Sequence, residues 1–157
     1  MSGSQLKVDA DSHAIHMTVD RLGSHIFIAD VRIGAVQECD LSGRLLGRSP
    51  ASLGLNFPNR LRYLVCGTLL VADNDNRQLL WLPFPAVGAA KQTSLLASIN
   101  HNQAQAGRSR IQDVAVGFDG TLWMLASQQG QKGGDVLMFD AARKLLARAQ
   151  LPPGADP

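Results

Sequence analysis

The sequence predicts an all-β fold built from three similar units. Its apolar segments are short, rich in valine, isoleucine, leucine and phenylalanine, and separated by glycine- and aspartate-containing turns every ~8–12 residues. No segment keeps the 3.6-residue apolar period of an amphipathic helix. Of the 13 acidic residues, 12 are aspartate, which favours turns, and only Glu38 is glutamate, which favours helix interiors.

An internal repeat organises the chain. A leucine pair recurs at equivalent places in the three units, at residues 45–46, 95–96 and 145–146. An apolar run precedes each pair, at residues 25–30, 68–73 and 121–126. These runs begin 43 and 53 residues apart, and the longer spacing fits a polar insertion at residues 100–110. A fixed repeat of this length indicates stacked copies of one structural unit.

Each unit contains segments for four short strands. In the third unit they are Ile111 to Val116, Thr121 to Ser127, Asp135 to Phe139, and Lys144 to Gln150. Units of about 40–50 residues with four antiparallel strands are typical of β-propeller blades, whereas a β-sandwich would not need even spacing. We therefore predict a single domain over residues 1–157, with blades at about 14–50, 58–99 and 110–152.

The second unit resembles the NHL repeat. Residues 71–82 read Val-Ala-Asp-Asn-Asp-Asn-Arg-Gln-Leu-Leu-Trp-Leu, similar to the repeat pattern V-A-D-T-x-N-H-R-V-Q-V-F, and residues 28–40 fit the same frame. The third unit is similar to the related blades of gluconolactonases and senescence-marker proteins. Gln78 and Ala35 replace the arginine that the family usually has, and the third unit lacks the aspartate after alanine. The resemblance implies a β-propeller, commonly of six blades, and is poorly specific for function.

Three blades do not form a closed ring, since closed propellers need at least about four. An arc of three blades leaves an apolar face open at each end, and monomeric proteins avoid such faces. We therefore expect the chain to be part of a larger propeller or to pair with a second copy into a six-bladed ring. A third alternative is an atypical fold that covers both faces itself. Charged residues make up 18% of the chain, below the typical ~25%, which fits a surface covered by a partner.

The candidate binding site consists of five residues: His16, Asn59, Arg60, Gln112 and Asp113. Aligning the units on their second strands places Ile15, Asn59 and Gln112 at one equivalent position. His16, Arg60 and Asp113 fall at the next position, which we expect at the rim of the central channel. These side chains would suit an anionic or polar ligand, with Arg60 donating two parallel hydrogen bonds. The alternative is that they only face solvent at the rim.

The resemblance to gluconolactonases also implies a divalent cation, usually calcium, held by a glutamate, two asparagines and an aspartate at the rim. Asn59 matches one asparagine position. Gln112 stands where the aspartate is expected, Ile15 occupies the third position, and Glu38 lies in a third strand away from the rim. We therefore expect no metal, no cofactor and no catalytic residue in this chain. Calcium would be needed only if other blades supplied the missing ligands.

The sequence favours a non-catalytic binding or scaffold module for protein–protein interaction, while enzymatic activity stays open. The first alternative is a fragment of a calcium-dependent lactonase or esterase, and the second is a module that binds single-stranded RNA. Five arginines in neighbouring loops support RNA binding: Arg60, Arg62, Arg77, Arg108 and Arg110. The net charge of only +2 argues against it. The aromatic residues Tyr63, Trp81 and Trp123 fit buried strand positions better than base-stacking ones.

Cys39 and Cys66 are the only cysteines, and we expect small buried side chains rather than a disulfide or a metal site. No apolar run reaches the ~18 residues of a membrane span, and the N-terminal region lacks the apolar core of a signal peptide. For a full-length chain these features favour the cytoplasm, and for an excised domain the compartment is unknown. The expected partner is another protein or the remaining blades of the same propeller, with a homodimer as a further alternative.

Overall fold

The computed structural model describes residues 12–64, 67–83, 97–100, 109–128 and 133–152. In this part of the chain, twelve strands form three antiparallel sheets of four strands each, and each sheet follows the order of the sequence. The only helical element there is a single 3-10 turn, Ala51–Leu53, which ends at Gly54. None of the described helical segments has the length and hydrophobicity that crossing a membrane requires. The all-β prediction is confirmed.

Each sheet is one blade. The first blade contains β1 (Ala14–Val19), β2 (His25–Asp30), β3 (Ala35–Asp40) and β4 (Leu45–Arg48). The second contains β5 (Pro58–Leu64), β6 (Thr68–Asp73), β7 (Gln78–Pro83) and β8 (Ala97–Asn100). The third contains β9 (Ser109–Val116), β10 (Leu122–Gln128), β11 (Gly134–Phe139) and β12 (Leu145–Gln150). Of the polar insertion predicted at residues 100–110, Asn100 ends β8 and residues 109–110 begin β9. Residues 101–108, Cys66 and the leucine pair at 95–96 lie outside the described residues.

Successive side chains of a strand point to opposite faces, so every blade has two faces. We call the face toward the next blade in sequence the forward face, and the face toward the preceding blade the backward face. The forward face of the first blade contributes Phe27, Ala29 and Val36 to a buried cluster. The backward face of the second blade supplies most of the remaining residues: Leu61, Leu69, Val71, Leu80 and Leu82.

The second and third blades pack in the same way. Leu70, Ala72 and Leu79 of the second blade meet the backward face of the third. That face contributes Ile111, Val114, Leu122, Met124, Leu137 and Phe139. Because both faces of the second blade are covered, β6 is buried along its whole length and its sequence is almost continuously apolar.

The two end faces carry exposed apolar residues that none of the described blades covers. Trp123, on the forward face of the third blade, is 44% exposed, whereas Phe27 and Leu70 at the equivalent positions are 2% and 0% exposed. Met17, on the backward face of the first blade, is 55% exposed, whereas Leu61 at its equivalent position is fully buried. The expectation that Trp123 occupies a buried position is therefore wrong, because its strand belongs to the last blade of the arc.

Cys39 is a free, buried thiol on the backward face of the first blade, where it packs with Ile26 and Ile28. Burial is the largest cause of its raised pKa, and the neighbouring carboxylates of Asp40 and Glu38 raise the pKa further. Cys39 is thus a small apolar core residue, as the sequence indicated.

Candidate functional site

The first strands of the three blades lie side by side: β1 contacts β5, and β5 contacts β9. In each blade the register between the first and second strands shifts by one residue at the same point. The residues inside these shifts are Ile15, Asn59 and Gln112. The next residues in sequence are His16, Arg60 and Asp113, which pair with Ala29, Ala72 and Leu125. Each inner strand therefore carries a β-bulge at the candidate site.

Asn59 and Asn74 of the second blade bind the main chain of one residue in the third. Asn59 Nδ2 donates to the carbonyl oxygen of Ile111 at 2.9 Å, and the N–H of Ile111 donates to Asn74 Oδ1 at 2.8 Å. An edge strand presents unpaired main-chain groups, and these two amides satisfy both groups of Ile111. Asn59 Oδ1, in contrast, is buried and has no hydrogen-bond partner among the described residues.

Arg62 forms a second link to the third blade. Its Nε donates to the carbonyl oxygen of Val114 at 3.0 Å, and an Nη lies 3.2 Å from a carboxylate oxygen of Asp113. Both side chains of the ion pair are nearly half exposed, so solvent screens their attraction. Gln112, the bulge residue, forms its hydrogen bond within its own sheet, where Nε2 donates to Ser127 Oγ at 2.6 Å.

His16 links the first blade to the second. The N–H of Leu61 donates to His16 Nδ1 at 3.3 Å, which requires the unprotonated form of that nitrogen. Burial lowers the pKa of His16, and the positive charges of Arg60 and Arg62 lower it further, while Asp113 acts in the opposite direction. The fold therefore favours a neutral imidazole at this junction.

The structure thus brings the five sequence-predicted residues to the inner strands of adjacent blades. His16 and Asn59 each form a hydrogen bond across a blade junction. Asp113 forms an ion pair with Arg62, and Arg60 donates a hydrogen bond to the carbonyl oxygen of Asn59 at 2.9 Å. Ligand binding by these residues stays a prediction. Arg62 and Asn74 were not among the candidate residues, since their roles depend on contacts with residues about 40–50 positions away in sequence.

Two strand-end aspartates bind the segment that enters the first strand of their own blade. Asp73 is fully buried and accepts hydrogen bonds from the N–H of Asn56 at 2.7 Å and from the side-chain amides of Asn76 and Gln78. Asn56 lies in the link that enters β5, so Asp73 fixes this link to the end of β6. Burial raises the pKa of Asp73 despite these hydrogen bonds.

Asp30 has the same role in the first blade. It accepts hydrogen bonds from the Ser12 hydroxyl, from the N–H of His13 at 3.1 Å and from Gln37 Nε2 at 2.8 Å. Burial opposes ionisation of Asp30, but the hydrogen bonds from the Ser12 hydroxyl and from the main-chain N–H groups of His13, Ile33 and Arg32 together outweigh it and lower the pKa. The Val-Ala-Asp and Ile-Ala-Asp motifs were the sequence signal for these residues. Ala126 occupies this position in the third blade.

The donor set does not fit a calcium ion. Calcium takes about six to eight oxygen ligands. At the three equivalent bulge positions only Asn59 offers a buried oxygen without a partner among the described residues. Ile15 has no side-chain oxygen, and Gln112 is a half-buried amide whose Nε2 donates to Ser127 Oγ. Within the described residues, no group of three or more histidine, cysteine, aspartate or glutamate side chains could hold a metal ion. Glu38 lies in β3 and is buried, and burial raises its pKa.

Comparisons with solved structures identify the fold. The chain is similar to the β-propeller domain of Cps50 (Swd1) from Myceliophteria thermophila, with a TM-score of 0.68 and 18% sequence identity over 92% of this chain and 43% of that chain. It is also similar to the periplasmic gluconolactonase PpgL of Pseudomonas aeruginosa, with a TM-score of 0.65 and 14% identity over 95% of this chain and 44% of that chain. A Lactobacillus plantarum protein gives a TM-score of 0.64 at 14% identity, over 89% of this chain and 41% of that chain.

The chain spans less than half the length of each of these three structures. No family model matches the sequence, and no curated protein sequence is similar to it. At these identities the likeness extends to the fold alone. The chain is therefore a partial β-propeller of three four-stranded blades, and the NHL resemblance stays a prediction.

Proposed function

We propose that this chain is a non-catalytic binding module whose partner is a protein that presents the apolar face of a propeller blade. The observation that carries the proposal is the pair of end faces. Trp123 and Met17 are exposed at positions where the other blades bury an apolar side chain. Leu125, Val136 and Met138 are only half-buried around Trp123. An apolar sheet face of this kind is stable in water only when another surface covers it.

The occupant of these faces is inferred from the two blade junctions inside the chain. In both junctions one face of a four-stranded sheet meets one face of the next sheet, and the buried cluster is apolar. An end face has the same strand number, the same register and apolar residues at most of the same positions, with Gln37 where the second blade has Leu80. A second blade therefore matches it better than a single helix or an extended peptide.

A calcium-dependent lactonase or esterase is the second candidate function. The buried, unpartnered Oδ1 of Asn59 favours it, since this atom lies where the resemblance to gluconolactonases implies a ligand. Ile15 and Gln112 at the equivalent positions oppose it, because neither supplies the carboxylate that would bind a hard cation and activate water. The binding module therefore remains the better-supported function.

Calorimetric titration with calcium chloride distinguishes the two functions. We expect no saturable heat signal, and no hydrolysis of a sugar lactone or a nitrophenyl ester with or without calcium. Saturable calcium binding that is lost in Asn59→Leu and kept in Asn74→Leu would contradict the binding-module proposal. So would hydrolysis that a chelator abolishes.

A further inference from the structure

We propose that two copies of this chain close head to tail into one six-bladed ring. The forward face of the third blade in each copy would pack on the backward face of the first blade in the other. This inference rests on the proposed function, because it names the partner blade that the end faces bind. The two contacts would be identical and related by a two-fold axis, which leaves no blade face open.

The first argument is that the chain contains both halves of the required junction. Inside the chain, a forward face always meets a backward face, first with Phe27 opposite the second blade and then with Leu70 opposite the third. Trp123 occupies the position of Phe27 and Leu70 on a forward face that has no described neighbour. Met17 occupies the position of Leu61 on a backward face that also has no described neighbouring blade, where Met17 and Val19 are exposed while Ile26, Ile28 and Cys39 are buried.

The second argument is that the two end faces are apolar at corresponding places. The backward face of the first blade carries Met17, Val19, Ile26, Ile28 and Cys39. The second blade has Leu61, Tyr63, Leu69, Val71 and Leu82 at those positions, and there they form or border a buried cluster. Covering this face would give Met17 the burial that Leu61 already has, and Val19 the half-buried position of Tyr63.

The third argument concerns the size of a whole propeller. The chain covers 43% of the Swd1 propeller domain and 44% of PpgL. Two copies thus approach the length of one closed propeller, whereas a single copy leaves more than half of the ring absent. A head-to-tail contact between only two copies closes, and it therefore does not produce open filaments.

Size-exclusion chromatography with light scattering, over a wide range of protein concentration, tests the ring. We expect twice the mass of one chain. Trp123→Lys and Met17→Glu, each made separately, should halve this mass. In a dimer of either variant, both junctions would place a buried charge against an apolar side chain. Phe118→Lys is the matched control. Phe118 is a fully exposed aromatic residue in the turn between β9 and β10, and its variant should remain dimeric.

Mixing the two charged variants tests the direction of packing. In a head-to-tail ring made of one Trp123→Lys copy and one Met17→Glu copy, the two introduced charges, which have opposite signs, face each other across one junction. The other junction keeps the original sequence. We therefore expect the mixture, unlike either variant alone, to recover the dimer mass. Both substitutions are at exposed positions, and circular dichroism of each variant checks that the fold is intact.

Three results would overturn the ring: a monomer at every concentration, an oligomer whose mass grows with concentration, or a dimer that survives Met17→Glu. A monomer that binds no calcium and hydrolyses nothing would leave the proposed function in place, with a blade of a different protein as partner. A dimer with saturable calcium binding at Asn59 would instead contradict the proposed function and leave the ring in place.

Discussion

Replacing Asn59 and Asn74 separately with leucine should destabilise the fold to different extents. Both amides are buried, and both bind the main chain of Ile111. Asn74→Leu leaves the N–H of Ile111 buried without an acceptor, which costs about 1–3 kcal/mol. Asn59→Leu leaves the carbonyl oxygen without its donor at a similar cost, but it also removes the unpartnered Oδ1, whose burial costs about 1–3 kcal/mol.

The expected loss for Asn59→Leu is therefore within about 2 kcal/mol of zero, and the loss for Asn74→Leu is larger by about 1–3 kcal/mol. Urea unfolding followed by circular dichroism measures both free energies, provided that the slope of the free energy with urea is unchanged. Leucine has the same number of side-chain heavy atoms as asparagine, so the change in packing is matched. Equal losses would refute the reasoning, because they would mean that Asn59 Oδ1 has a partner in solution.

Three further predictions concern the blade junctions and the metal. Because the fold lowers the pKa of His16, the unfolded chain binds more protons than the folded chain as the pH falls below about 6.5, so the free energy of unfolding should decrease there. His16→Gln should weaken this pH dependence in urea unfolding. An unchanged pH dependence in the variant would exclude His16 as its cause. Asp73→Ala should cost about 3 kcal/mol or more, because three donors lose a buried acceptor. Asp75→Ala, at the exposed next turn, should cost less than about 0.5 kcal/mol, and similar losses would argue against the role of Asp73. A calcium chelator should leave the melting temperature unchanged, and a clear decrease would point to a bound cation.

The fold could be predicted from the sequence because the patterns that determine each strand are local and recur in all three units. The apolar run at residues 68–73 predicts one strand, and the turn after Asp73 predicts one hairpin. The repeat then indicates which strands of the three units are equivalent. The repeat predicts one equivalent position for His16, Arg60 and Asp113, and their pairing partners Ala29, Ala72 and Leu125 agree with that equivalence.

The contacts between blades were not accessible in the same way. Arg62 reaches Asp113 and the carbonyl oxygen of Val114 only because β5 lies beside β9, and no pattern within β5 indicates this. The exposure of Trp123 has a similar origin. Its strand has the sequence of a buried strand, and only the position of its blade at the end of the arc exposes it.

The three β-bulges have a consequence for how this scaffold can change. A bulge residue is left out of strand pairing, so the ladder continues from Ala14 to His16 and from Pro58 to Arg60 whichever side chain lies between. The chain already carries an aliphatic side chain and two amides of different length at these places. Blade by blade, new chemistry can therefore be introduced next to the axis by single substitutions, while the hydrogen-bonded framework that holds each sheet together keeps its geometry.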